Sequence, residues 1–205
     1  YYYFNYIINK EYLFFYIYTI VKHGAQQETS STKKQKPDRT PKFLDALVSC
    51  GVKFFVLSHL PKTYLDGAAF HDGKNPVIVY TARYDRRDHF WWTMTHEIVH
   101  VLKHIKNAKD CFLDELENRD GVNDKEKEAD LEASRVLKVD EILTKAETYR
   151  NYFSEARLDE IAGEIGLSSE VVLGILHHHK VLDWRTLARV KTSVCETITE
   201  HYIKG

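Results

Sequence analysis

Cysteine is scarce in this chain. Three occur in 205 residues, Cys50, Cys111 and Cys195, with no CxxC pair among them. So odd and scattered a set excludes a disulfide framework and suits a reducing cytoplasm, with each thiol expected to be a small buried hydrophobe. An excess of one charge is also missing. With 29 basic and 30 acidic residues the net charge is −1, which gives no global pull toward nucleic acid or an anionic membrane. Long apolar runs are absent too. Residues 1–21 are crowded with Tyr, Phe and Ile, but Asn5, Asn9, Lys10 and Glu11 interrupt them, and a membrane span needs about 18 uninterrupted apolar residues. The residues after the Tyr12–Val21 stretch show no small-residue cleavage pattern, so neither export nor a membrane is expected. No internal repeat is visible.

What is present is an apolar fraction of 43%, enough for one sizeable domain with an appendage. Three regions are expected: residues 1–40 as an aromatic N-terminal segment with a polar linker, 41–140 as the core, and 141–205 as a helical C-terminal region. Polar, proline-bearing residues 23–42 read as the linker. Apolar positions 43, 44, 47 and 48 predict a helix closed by Gly51. Strands are predicted at Val52–Ser58, Gly67–Phe70 and Pro76–Arg83, the last two joined through the turn-rich HDGKN. Helices follow at Asp88–Lys106 and Asp124–Lys138. A few strands followed by a run of helices indicates α+β, with helices packed on a small sheet.

The segment THEIVH carries HExxH at His96–His100. Residues four apart on a helix share a face, so both imidazoles can grip one Zn²⁺, while Glu97, about 100° around the helix, can serve a water without binding the metal. Phe90, Met94, Ile98, Val101 and Ile105 form an apolar stripe that can bury the same helix. Lys103 and Lys106 stand where an HExxHxxGxxH pattern has its glycine and third histidine. His104 lies eight residues from His96, about 12 Å along the axis, which makes it a neighbour of the site and not a ligand. A later acid is the remaining route. In DKEKEADLEASRVLK, Glu126, Ala129, Asp130, Ala133 and Leu137 share a face, whereas Glu128 points away with Glu132 and Arg135. A carboxylate on a core-facing stripe is costly unless paired, so Glu126 is preferred to Glu128 as third ligand. Asp130, one turn on, is placed to accept from a ligand histidine.

HEIVHVLKH followed by EKEAD resembles the ImmA/IrrE family of zinc peptidase domains. The stretch LDGAAFHDGKNPVIVYTARYDRRDHFWWTMTHEIVH resembles the form fused in HigA-like antitoxin regulators, and ARLDEIAGEIGLSSEVVLGILHHHKVLDWRTL is similar to the end region of that group. The resemblance spans roughly residues 41–194. It implies a zincin-like fold, Zn²⁺ on His96, His100 and Glu126, Glu97 as catalytic acid–base, and action on a regulatory protein of repressor or antitoxin type. Many relatives carry an N-terminal helix-turn-helix, but residues 1–40 show no such pattern, so DNA binding does not carry over. KVDEIL also lacks a proline common in the family, which affects only the local turn.

By this scheme a water-derived proton passes through Glu97. Tyr80, Tyr84 and His71 are the candidates for an oxyanion or substrate donor. The strand Pro76–Arg83 could offer an edge to an extended peptide. The rival readings are a metal-binding module that holds a toxin, repressor or other partner without turnover, and DNA binding through LDEIAGEIGLSSEVVLGIL, whose second helix is too apolar for base contacts. Consecutive His177, His178 and His179 point about 100° apart and do not converge on one ion. An exposed aromatic N-terminus would favour homo-oligomers.

Overall fold

The computed structural model describes residues 39–57, 63–115, 124–149, 152–198 and 202–204. The expectations for residues 1–38, namely the aromatic segment, most of the linker, the missing helix-turn-helix and self-association, lie outside the described residues.

Helix α1, Thr40–Ser49, starts inside the stretch read as linker. Pro41 sits in its first turn, where a missing N–H costs nothing, and Phe43, Leu44 and Leu47 bury one face. The sheet follows: β1 (Lys53–Leu57), β2 (Leu65–His71) and β3 (Pro76–Tyr80). Asp72 closes the β2–β3 turn by accepting the N–H groups of Lys74 and Asn75 at 2.9 and 2.8 Å. β2 runs antiparallel to β3, and β1 parallel to β3.

Helix α2, Arg87–Val99, lies across β2 and β3. Its Phe90 meets Tyr80 edge-on, with ring centroids 5.3 Å apart. After Val99 the helix widens into a π-turn, His100–His104, closed by Ile105 N–H to the His100 carbonyl. It therefore stops short of the predicted Lys106. The chain then forms β4, Cys111–Glu115, which pairs antiparallel with β2. Sequence periodicity did not disclose this strand. With β5 (Ile203–Lys204) from the end of the chain, the resulting order is β4-β2-β3-β1-β5. The expectation that Pro76–Arg83 offers a free edge is thus corrected: β3 is hydrogen-bonded on both sides, and the edge strands are β4 and the two-residue β5.

Helices α3 (Asp124–Val136), α4 (Val139–Glu147), α5 (Glu155–Ile165) and α6 (Ser169–His178) pack over the same sheet face. α3 lies on α2, with Ala129 and Ala133 fully buried. Ser154 and Ser168 cap α5 and α6 with their hydroxyls, and Gly166 turns the chain between them at φ 84°, a left-handed conformation that glycine adopts without a Cβ penalty. α6 is buried at Val171, Val172, Leu173, Ile175, Leu176 and His177.

The prediction of helix through 205 is corrected beyond α6. Residues 179–198 are turns with one short 3-10 turn at Ala188–Val190, and β5 (Ile203–Lys204) joins β1 in parallel. Polar contacts hold this segment: Val194 and Cys195 donate their N–H groups to Asp85, and Arg87 donates to the Thr192 carbonyl. The fold is mixed α+β. Among the described residues no helix is long and apolar enough to cross a membrane. The cysteines are free, but none is buried as expected: Cys111 is exposed, and Cys50 and Cys195 are partly covered. Burial pushes both partly covered thiols up, Cys195 to about 12 with Asp85 adding to the effect.

Candidate metal centre

α2 supplies two imidazoles and α3 a carboxylate. His96 Nε2 and His100 Nε2 lie 3.0 Å apart, and Glu126 Oε2 lies 3.1 Å from the first and 3.2 Å from the second. Both histidines are buried and Glu126 is half-buried. One imidazole from each of two successive helical turns, faced by a neighbouring helix kept close by Ala129 and Ala133, is enough to bring these atoms together.

The partners behind the rings decide their tautomers. His96 Nδ1 faces Asp130 Oδ1 at 3.1 Å. An ionised carboxylate only accepts, so the His96 proton sits on Nδ1. His100 Nδ1 faces His104 Nδ1 at 2.9 Å, and His104 Nε2 faces Glu128 Oε2 at 3.2 Å. By the same logic His104 donates from Nε2 to Glu128, accepts at Nδ1, and leaves His100 protonated on Nδ1. Both Nε2 atoms then turn lone pairs toward each other and toward Glu126. Burial holds the His100 pKa below its ordinary value, with the neighbouring imidazoles adding to that. Burial alone would raise Glu126, but where the facing Nε2 atoms carry protons their contacts outweigh burial and bring it to about 2, so Glu126 is a carboxylate whichever way the imidazole protons lie. At neutral pH His100 is a neutral imidazole and Glu126 a carboxylate, and the Asp130 contact turns the His96 Nε2 lone pair to the same point.

That donor set fits a divalent transition metal. Ligands about 2.0–2.1 Å from a tetrahedral zinc stand about 3.3 Å from one another, close to the separations found. Lone pairs gathered at 3.0 Å repel unless a cation lies between them, and such a cation is what this arrangement accommodates.

Phe112 of β4 lies parallel to the His100 ring, with centroids 4.5 Å apart and 22° between planes. The Lys125 ammonium stands 5.0 Å from the same phenyl ring. Glu97 is fully buried between α2 and β2. A Cβ at Gly67 would fall 2.7 Å from Glu97 Oε1 and from Thr93 Cγ2, so only glycine there admits Glu97 without a shift. A lone glycine inside a strand is the sequence signal for such a close approach. Glu128, set aside as a ligand, bonds Lys103 and His104 instead.

The three candidate donors or substrate contacts occupy different surroundings. Tyr80 is fully buried in the core, and its hydroxyl is spent on the Tyr84 carbonyl at 2.9 Å. His71 sits at the end of β2, its Nδ1 accepting the Gly73 N–H. Tyr84 packs beside His89, two helical turns before His96. Sequence reasoning missed Phe112, which sits on the strand it did not see, and the link from His104 to His100.

The sequence profile of the IrrE N-terminal-like domain, a peptidase family, matches residues 51–176, more than half of the 205 residues. The matched stretch runs from the turn after α1 into α6 and includes every residue of the cluster just described. No curated protein matches the chain significantly.

Proposed function

The chain belongs to the IrrE N-terminal-like peptidase family, and on that premise we propose that it is a zinc-dependent metallo-endopeptidase with zincin-like packing of its HExxH helix. His96, His100 and Glu126 hold the zinc, and Asp130 and His104 fix the tautomers of the two imidazoles. A zinc ion there supplies Lewis acidity, polarising a scissile carbonyl and making water acidic near neutral pH. Glu97 takes the proton of the attacking water and passes it to the departing amine. An extended peptide pairs with the edge of β4 through main-chain hydrogen bonds, beside the Phe112 ring that faces His100. The substrate is a regulatory protein of repressor or antitoxin type in the cytoplasm, a reading supported by the resemblance of residues 65–100 and 156–187 to antitoxin-associated regulators.

The observation that carries this reading is the convergence of two Nε2 lone pairs and one carboxylate oxygen within 3.2 Å. The test is Glu97→Gln, assayed for bound metal and for cleavage of a peptide library. Zinc should be retained at wild-type stoichiometry while turnover falls by about 10²–10⁴-fold, the usual contribution of a general base. Unchanged turnover would remove Glu97 from the mechanism, and a chain that takes up no zinc would remove the mechanism altogether.

A further inference from the structure

A second set of buried polar groups lies toward the N-terminal end of α2. In the β2–β4 ladder Leu65 pairs with Glu115 and Gly67 with Asp114, so Asp66 is an extra residue at a register shift. Such bulges re-aim a side chain. Gly67 faces α2 by its approach to Glu97 and Thr93, and Asp66, its neighbour, also reaches α2: Oδ1 lies 3.4 Å from His89 Nε2. Asp66 is completely buried, yet neither carboxylate oxygen has a hydrogen-bond partner among the described residues. Its other neighbour, Arg83 Nη1, stands 3.7 Å away, beyond hydrogen-bond length. Both ring nitrogens of His89 are likewise buried without a hydrogen bond. A native fold rarely leaves such groups unmatched without a use for them.

Asp66 and His89 line a cavity of about 650 Å³. Its walls include Tyr84, Trp92, Ile175 and Trp184, and His178 stacks on Trp92. His89 precedes His96 by seven residues, so the two share a helix face about 10 Å apart. An extended peptide covers that distance in about three residues. The cavity therefore lies within side-chain reach of a peptide bond held at the metal centre.

The chemistry of the walls selects the occupant. An ionised carboxylate lacks a donor, not an acceptor. A cationic donor is disfavoured, because Arg83 already faces Asp66, Arg86 lies over the Tyr84 and Trp184 rings, and Lys191 stands between Asp88 and Trp184. A neutral donor on an aromatic ring meets both conditions. We propose that this cavity is a specificity pocket for a tyrosine or tryptophan side chain of the peptide substrate, whose O–H or N–H donates to Asp66 while its ring lies among Trp92, Tyr84 and Trp184. The proposal rests on the reading of the metal centre as a peptidase site. Arg83 covers the carboxylate and is the group that yields when the donor docks.

Binding can be measured apart from turnover. N-acetyltyrosinamide, N-acetylphenylalaninamide and N-acetyllysinamide are titrated into the zinc-loaded chain by ligand-observed NMR. The tyrosine amide should bind on the order of tenfold more tightly than the phenylalanine amide, the difference one charge-assisted hydrogen bond makes, and the lysine amide weakest of the three. Asp66→Asn should shrink the tyrosine preference to about threefold, since a neutral acceptor makes a bond about half as strong, while zinc content and far-UV circular dichroism stay those of the wild type. Trp184→Leu, at a half-exposed site that folding tolerates, should weaken both aromatic amides alike. Equal binding of the two aromatic amides, survival of the preference in Asp66→Asn, or tighter binding of the lysine amide overturns the pocket assignment. Intact tyrosine preference in a chain that holds zinc but cleaves nothing would instead count against the peptidase reading alone.

Discussion

Single atoms set the tolerance of the centre. Gly67 is the sharpest case, because its missing Cβ is the space in which Glu97 lies. Gly67→Ala forces the Glu97 carboxylate or the β2 backbone to move by several tenths of an ångström. Small displacements of a proton carrier are expensive, with about 10²-fold lost for a 1 Å misplacement. The variant should therefore bind zinc as the wild type does and lose turnover by about 10-fold or more, with a stability loss of about 1–3 kcal/mol from overpacking. Metal analysis beside a cleavage assay checks this, and full activity in Gly67→Ala would mean that Glu97 has room the structure does not show. At this scale the sequence was informative wherever chemistry follows helical period. His96, His100, Glu126 and Asp130 were drawn together by i, i+4 arithmetic and by the cost of burying a carboxylate. Tyr80 was misplaced because nothing local distinguishes a tyrosine whose hydroxyl is spent on a backbone carbonyl four residues on from one that faces a cleft.

Secondary-structure elements show where periodicity ends and tertiary context begins. The stretch 88–106 reads as one helix, and a π-turn replaces its last part because Ile105 N–H reaches the His100 carbonyl, five residues back. π-turns cluster at functional sites, and this one coincides with the link from His104 to His100. β4 was not legible because only Phe112 of Cys111, Phe112 and Leu113 is buried, and the strand's partner β2 lies some forty residues earlier in the chain. The α5–α6 pair was legible, because its caps are written locally as Ser154, Gly166 and Ser168. α6 is central to the helical layer, and its Gly174 lets Asp88 of α2 lie against it. Removing the Ser168 hydroxyl, which accepts the Val171 N–H at 3.3 Å, should cost about 1 kcal/mol, as lost N-caps do. Urea unfolding of Ser168→Ala measures it. Zinc content should stay unchanged, since the cap lies far from the ligands in the chain and acts on the helix end alone.

The whole molecule is closed by a segment that carries no regular pattern. The family match ends at residue 176, yet residues 179–198 return to the start of α2 and residues 202–204 to the far edge of the sheet. Lys191 joins Asp88 in a buried ion pair at 2.9 Å, β5 pairs with β1, and Asp85 receives the N–H groups of Val194 and Cys195 and the hydroxyl of Ser193. These are long-range polar contacts, invisible to hydrophobic periodicity, which is why the region read as helix. They also make closure sensitive to pH. Burial alone would raise the Asp85 pKa, but its hydrogen bonds with Ser193, Cys195 and Val194 outweigh that and hold it below the ordinary value. A carboxylate with a depressed folded pKa contributes stability above its unfolded pKa of about 3.9 and loses it as the pH falls through the folded value. Asp85→Asn keeps the shape and one acceptor oxygen but not the charge. In metal-free protein, the wild type should melt higher than Asp85→Asn at pH 7, and the gap should narrow below about pH 4. Thermal unfolding at pH 7, 5 and 3 tests the point. A gap that stays constant across that range would mean the segment is held by the shape of the Asp85 side chain and not by its charge.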